Sequence, residues 1–450
     1  MRTVTVVGAS LAGLYAARAL RAQGFDGRLV VIGAERHRPY DRPPLSKDFL
    51  ARAPGAPAMA AGARSPSDAD TLALSDADAV TLSDAEALSL SDADEDAELA
   101  AEWLLGTPAA GLDTAGRAVL LADGRRITTD GVVIATGATP RTLPGPPRAG
   151  VHTLRTLDDA VALRAELHAG ARKVVVIGGG FIGAEAASTC AELGADVTIV
   201  EAAPLPLVPQ LGREIAQVCA RLHTGHGVRL LCGTGVKALR ADGRGDGDRG
   251  DSGAPPGTTT RRAPRVTGVE LADGRLLGAD TVIVGIGVRP ATDWLAASPL
   301  ALRDGVLCDQ GGVTALRQVV AAGDVARYGE LRAEHWTSAT EQPAVAVRNL
   351  LAGTTVARHT APPYFWSDQY GSRIQLAGHR GPKDTVRIAE GSPEEGSLLA
   401  VYERDGEITA AFALNRPRPF TRLRRRLGAG RPAAPAAPAG APAAAPGATP

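Results

Sequence analysis

The chain has 450 residues, enough for about three domains with substantial cores. It is 44% hydrophobic and 22% charged, a globular composition, and no run approaches the roughly 20 apolar residues of a membrane span. Lys and Arg number 49 against 49 for Asp and Glu, so no global field draws nucleic acid or a membrane surface.

Met1-Arg2-Thr3-Val4 runs straight into the first apolar strand, predicted over 3–8. No signal peptide is therefore expected, and a cytoplasmic location is. The strand ends in Val6-Val7-Gly8-Ala9-Ser10-Leu11-Ala12-Gly13, and an Ala-rich helix is predicted over 11–23. In this setting one glycine makes the tight turn, one position lets backbone approach a pyrophosphate, and one allows close helix–strand packing. The phosphates then rest on amide groups at the helix N-terminus. Ser10 replaces the middle glycine, and its small hydroxyl can reach a phosphate. The next strand, predicted over 28–33, is followed by Glu35, the acid expected to hold the ribose hydroxyls of an adenosine.

Next comes Arg38-Pro39-Tyr40-Asp41-Arg42-Pro43-Pro44-Leu45-Ser46-Lys47-Asp48, a proline-stiffened loop that delivers Arg42 and Lys47 to the first nucleotide. From Ser67 to Asp94 a Ser-Asp-Ala-Asp/Glu pattern recurs every eight residues, at Ser67, Ser75, Ser83 and Ser91. It lacks the glycines of calcium-binding repeat turns, so an acidic solvated loop is the expectation over such a site.

A strand over 131–136 leads into Ala135-Thr136-Gly137-Ala138-Thr139-Pro140-Arg141, which returns to the first nucleotide. After a helix over 157–168 and a strand over 173–178, the fingerprint repeats as Val175-Val176-Ile177-Gly178-Gly179-Gly180-Phe181-Ile182-Gly183. A helix over 181–193, a strand over 196–201 and Glu201 complete it. Glu201 accepts hydrogen bonds from a 2′-hydroxyl and repels a 2′-phosphate, and Ala202-Ala203-Pro204 offers no arginine. NADH is expected over NADPH.

A helix over 212–224 and strands over 228–232 and 280–285 follow. Between them Ala241–Pro264 reads as a flexible insert, and its Arg249-Gly250-Asp251 as a chance match. Ala321-Ala322-Gly323-Asp324-Val325-Ala326 ends another strand near the first nucleotide. Beyond 360 the pattern becomes short strands separated by turns, and the chain finishes in an Ala/Pro tail. Arg416, Arg418, Arg422, Arg424, Arg425 and Arg426 form the densest basic cluster, read either as a docking surface for an acidic partner or as a solvated helix.

Four cysteines, Cys190, Cys219, Cys232 and Cys308, lie far apart with no Cys-x-x-Cys spacing, so neither a zinc ribbon nor a local redox disulfide is expected. No metal site is predicted.

Together with Trp366-Ser367-Asp368-Gln369, these motifs resemble the FAD-dependent pyridine nucleotide oxidoreductases, and within them the NADH-dependent ferredoxin reductases. The resemblance implies an α/β fold: two Rossmann-like dinucleotide-binding domains, the NAD domain inserted in the FAD domain, plus a C-terminal α+β domain. The expected divisions are 1–141 and 281–335 for FAD, with an acidic insert at about 60–94. Residues 142–280 would bind NAD, with a flexible insert at about 241–264; 336–427 form the last domain and 428–450 a disordered tail.

Carried over residue by residue, it makes Gly8, Ser10, Ala12, Gly13 and Glu35 the FAD adenosine and pyrophosphate site. Arg42, Lys47 and Arg141 would approach the flavin and its diphosphate; Asp324 would bond the ribitol, and Trp336 would pack near the ring. Gly178, Gly180, Gly183, Glu185 and Glu201 would bind the nicotinamide nucleotide, with Lys47 and Glu185 paired as the catalytic residues. Bland readings stand beside three of these: Lys47 as a surface lysine, Trp336 as plain core, and Glu185 as an acid favoured by the helix dipole. Asp368 and Gln369 read as turn caps.

Related disulfide reductases relay electrons through cysteines in the loop where this chain has Leu45-Ser46-Lys47, so here the flavin would discharge directly to an external acceptor. The resemblance makes that acceptor a small iron-sulfur ferredoxin serving a monooxygenase or dioxygenase. A rubredoxin, quinone or oxygen reductase, or a redox protein like the apoptosis-inducing factors, are the alternatives.

Overall fold

The computed structural model describes residues 1–54, 84–242 and 263–429. Ser67, Ser75 and Ser83 of the repeat, nearly all of the 241–264 insert and the tail beyond 429 lie outside the described residues.

The first sheet has five parallel strands in the order Val319–Ala321, Gly131–Ile134, Thr3–Val7, Arg28–Ile32 and Ala101–Leu104. Its strands are almost continuously apolar because both faces are covered. Val4, Val6, Leu29, Val31 and Val133 pack against helices Leu11–Ala22 and Trp336–Ala352. Val7, Val30, Ile32, Val132 and Ile134 pack against an antiparallel sheet of Ala109–Asp113, Ala118–Leu121 and Arg126–Thr128.

The second sheet repeats this plan with Arg229–Cys232, Asp196–Glu201, Lys173–Ile177, Thr281–Val284 and Val151–His152, again all parallel. One face meets helices Leu157–His168 and Phe181–Glu192; the other meets the antiparallel strands Val236–Ala241, Val266–Leu271 and Leu276–Gly278. An antiparallel ribbon, Ala138–Pro140 with Val288–Pro290, carries the chain out of the first domain and back. The insertion of one domain in the other is thus as expected.

The C-terminal sheet is antiparallel, in the order Tyr364–Gln369, Ser372–Gly378, Glu407–Leu414, Ser397–Arg404 and Thr385–Ser392. Helix Pro417–Ala429 seats Phe420 on one face. Helix Val208–Gly225, broken at Gly212 where φ is +73°, buries Leu211, Ile215, Val218 and Cys219 against the other.

Three expected divisions shift. Thr281–Val284 pairs with Lys173–Ile177, so the first domain resumes after the Val288–Pro290 ribbon rather than at 281. Helix Trp336–Ala352 puts Ala346, Val347 and Leu350 into the first core, so the C-terminal unit begins near Tyr364 rather than at 336. Residues 84–94 are not a solvated loop. Asp84 is 6% exposed, and its carboxylate receives two hydrogen bonds from Arg164, itself 1% exposed, and one from Arg52 at 3.2 Å. Ala85 and Leu88 pack on the core, and Asp92 caps helix Ala93–Leu99. A buried arginine needs a carboxylate, and this repeat unit supplies it.

Candidate functional site

Each glycine loop is built by steric exclusion. Gly8 lies at φ +122°, and a Cβ there would sit 2.1 Å from the Ala135 carbonyl oxygen; at Gly13 it would sit 1.8 Å from the Gly8 oxygen. In the second loop Gly178 and Gly183 are constrained the same way, by the Gly285 oxygen at 2.3 Å and the Gly178 oxygen at 2.2 Å. Strand, turn and helix are therefore in direct backbone contact. Ala12 lines the same turn, 2.9 Å from where a Cβ on Gly323 would stand.

Helices Leu11–Ala22 and Phe181–Glu192 start at Ser10 and Gly180 with no side-chain cap. Helix Leu157–His168, in contrast, carries a complete capping box from Thr156 and Asp159. Beside Gly180 a Cβ would meet nothing nearer than the Gly285 oxygen at 4.0 Å. Uncapped amides at a positive helix end, facing open space, suit a phosphate. The residues present fit two bound dinucleotides.

At the first loop Glu35 accepts hydrogen bonds from Arg42 and from the Tyr40 hydroxyl, each at 2.5 Å. The Arg42 guanidinium also reaches the Ser10 hydroxyl at 3.2 Å and the Arg155 carbonyl at 2.5 Å. Burial works against the Arg42 charge, but Tyr40 and Glu35 outweigh it and keep its pKa above the ordinary value. Burial also pushes the Tyr40 hydroxyl far up, so it stays a donor. Arg155 donates to Asp324 at 2.9 Å. Gly8, Ser10, Ala12, Gly13, Glu35, Arg42 and Asp324 thus share one site. Arg141 does not join them: it is exposed, and its guanidinium bonds the Val288 carbonyl on the ribbon. Arg155 and Tyr40 are site residues the sequence reading missed, although the capping box beginning at Thr156 marks the turn that carries Arg155.

At the second loop the Glu201 carboxylate accepts the Gly179 and Ala203 amides, both at 2.8 Å. It therefore stands at the mouth of the glycine turn.

Lys47 and Glu185 meet between the two loops. The Lys47 ammonium donates to Glu185 at 2.7 Å and to the Pro43 carbonyl at 3.0 Å; Lys47 is 17% exposed and Glu185 3%. Lys47 is therefore not a surface lysine. Three residues not anticipated complete this node. The Ser46 hydroxyl donates to Glu185 at 2.5 Å, the Ser367 hydroxyl at 2.6 Å, and the Gln369 amide donates to Ser367 at 2.9 Å. Gln369 is thus part of a buried network rather than a turn cap, while Asp368 pairs with Arg373. Trp336 stands edge-on to Trp366, ring centres 6.0 Å apart, and its N–H donates to Asp41 at 3.0 Å. Burial pushes the Asp41 carboxyl up, against the opposing pull of that N–H and of Lys47.

All four cysteines are free thiols; Cys190, Cys219 and Cys308 are buried. Burial pushes Cys190 and Cys219 up to about 12, so neither is a thiolate near neutral pH. Among the described residues no cluster of His, Cys, Asp and Glu could hold a metal ion, and no helix is long and apolar enough to cross a membrane.

Two dinucleotide sites joined by a buried Lys–Glu pair define an oxidoreductase that brings two nucleotide cofactors together. Residues 2–343 match the pyridine nucleotide-disulphide oxidoreductase family and residues 364–444 match its reductase C-terminal domain, so the chain belongs to that family. It is 34% identical over 438 residues, 94% of each chain, to the anthranilate 1,2-dioxygenase system ferredoxin–NAD(+) reductase component of Burkholderia cepacia. It is 32% identical to rhodocoxin reductase of Rhodococcus erythropolis over 96% of this chain and 91% of that one. The covalent putidaredoxin reductase–putidaredoxin complex superposes with a TM-score of 0.80 at 28% identity, covering 95% of this chain and 93% of that one.

Proposed function

We propose that this chain is a cytoplasmic, FAD-containing, NADH-dependent ferredoxin reductase, passing electrons to a small iron-sulfur protein that serves a monooxygenase or dioxygenase. The observation that carries it is the Lys47–Glu185 pair at 2.7 Å, with Lys47 on a loop, Leu45-Ser46-Lys47, that carries no cysteine. When bound, FAD supplies the chemistry: it takes up a hydride's two electrons and releases them singly.

The chain's own residues position and charge that site. Gly8, Ser10, Ala12 and Gly13 would cradle the FAD diphosphate, with Arg42 and Lys47 as nearby cations, Glu35 on the ribose, Asp324 on the ribitol and Trp336 near the ring. Gly178, Gly180, Gly183 and Glu185 receive NADH, and Glu201 selects it over NADPH by repelling a 2′-phosphate. Lys47 favours a negatively charged reduced cofactor, and Glu185 compensates Lys47 so that its cation is not buried alone. The acceptor would meet Arg418, Arg422, Arg425 and Arg426, exposed on the last helix; Arg424 is turned onto the Tyr364 ring, 3.8 Å away. An acidic iron-sulfur protein would be steered to that face.

The purified protein should be yellow and bleached by NADH far faster than by NADPH. It should reduce an acidic ferredoxin in a salt-sensitive manner, and changing all four cysteines to Ser should leave this intact. A folded four-serine protein that takes up NADH electrons but no longer passes them on would refute a thiol-free route.

A further inference from the structure

Glu185 is bound from three directions by two different domains. Ser46 and Lys47 reach its Oε2 from the loop of the first domain, while Ser367 reaches its Oε1 from strand Tyr364–Gln369 of the C-terminal sheet. Ser367 is fully buried, and Gln369, the next inward-facing residue of that strand, is 1% exposed. The Gln369 amide donates to the Ser367 oxygen, which leaves the Ser367 proton directed at Glu185. Among the described residues the buried Gln369 Oε1 finds no hydrogen-bond partner, so this side chain is spent on one bond. A buried glutamine held with an idle acceptor is costly unless the bond it makes matters.

We infer that Ser367 and Gln369 are positioning residues: they carry a hydrogen-bond chain from the C-terminal sheet into Glu185 and fix its carboxylate against Lys47. The inference rests on the function proposed above and deepens it. A carboxylate at 3% exposure needs both oxygens hydrogen-bonded, and Ser367 supplies the donor at Oε1. Ser46 and Lys47 hold Oε2 and Ser367 holds Oε1, so the three donors together fix the plane of the carboxylate. Turned away from Lys47, the Glu185 carboxylate would leave that charge poorly compensated.

The test uses the FAD-loaded protein and Ser367→Ala, with Ser367→Val and Ser367→Thr as a pair of closer size. The rate of flavin reduction by NADH is measured across pH, together with flavin content. Ser367→Ala and Ser367→Val should move the acid limb of that profile upward by about one pH unit, since one charge-assisted hydrogen bond is lost. Ser367→Thr, which keeps the hydroxyl, should follow the parent, and Gln369→Leu should shift the limb the same way by less. In a Glu185→Gln background, Ser367→Ala should cause no further movement. An unmoved limb in folded, FAD-replete Ser367→Ala and Ser367→Val overturns the inference. If NADH does not reduce the parent protein at all, the proposed function fails instead. A thermal-denaturation cycle of Ser367→Ala with Glu185→Gln then still decides the coupling, and strictly additive losses overturn it.

Discussion

Replacing Asp84 with Ala should destabilise the protein more than any other single change in the acidic segment. Arg164 donates to both Asp84 oxygens, at 3.1 Å to Oδ1 and at shorter range to Oδ2, and Arg52 adds a third bond at 3.2 Å. The Arg164 guanidinium also lies 4.2 Å over the Phe49 ring, and its Nε has no hydrogen-bond partner among the described residues. With Asp84 gone, a guanidinium 1% exposed keeps only the aromatic face among the described residues. Removing one member of a buried ion pair costs about 3–5 kcal/mol, against under about 1 kcal/mol for an exposed pair. For domains of this size that is a fall in melting temperature of roughly 6–20 °C. Calorimetry and the temperature of flavin release measure it. Excising Ser67–Ser83 with a short linker should leave both near the parent value, because long insertions change loop entropy little. Extending the excision to Leu90 should not, since it also removes the Leu88 and Leu90 backbone bonds to Asp41 and Pro39 beside Arg42. The double change Asp84→Leu with Arg164→Met should recover much of the loss, as apolar replacement of a buried pair often does. A shift of less than about 2 °C for Asp84→Ala would refute the reasoning and return the segment to a solvated loop.

Glu201→Gln with Ala202→Arg should narrow the NADH preference by about tenfold or more, because a repelling charge is replaced by a pairing one; equal preferences in parent and variant would move the selection elsewhere. Lys47→Met should retain FAD, lower the flavin's reduction potential in spectroelectrochemical titration and slow reduction by NADH roughly tenfold or more. An unchanged potential would make the Lys47–Glu185 pair purely structural. His223 is 1% exposed and bonds the Tyr370 hydroxyl at 2.8 Å across the seam to the C-terminal sheet, and burial lowers its pKa to about 4. With an unfolded value near 6.5, stability is fully present above about pH 6.5 and lost as pH falls toward 4, by up to about 3 kcal/mol. Denaturation midpoints between pH 4 and 7 should therefore slope less in His223→Gln.

What could be read from residues alone was what depends on local backbone. Gly8 and Gly178 announce themselves because only glycine tolerates a carbonyl 2.1 or 2.3 Å from its Cβ position, and the apolar runs around them satisfy two covered faces. Helix Leu157–His168 matched residue for residue because its cap and its periodicity agree. Contacts between distant segments were not legible in that way. Nothing in the period-eight repeat separates Ser83-Asp84 from the units before it; only the partner Arg164, 80 residues on, turns Asp84 from a solvated acid into a buried counter-ion. Ser367 and Gln369 stand in a motif that carried the resemblance, but their role was hidden for the same reason: a serine and a glutamine on a strand show no function until Glu185, 182 residues away from Ser367, supplies the acceptor. The boundary at 281 failed on a related point: strand Thr281–Val284 is as apolar as those of the first sheet, so pattern alone does not say which sheet it joins. Specificity between two similar sheets lies in pairing, and pairing becomes legible only when both strands are in place.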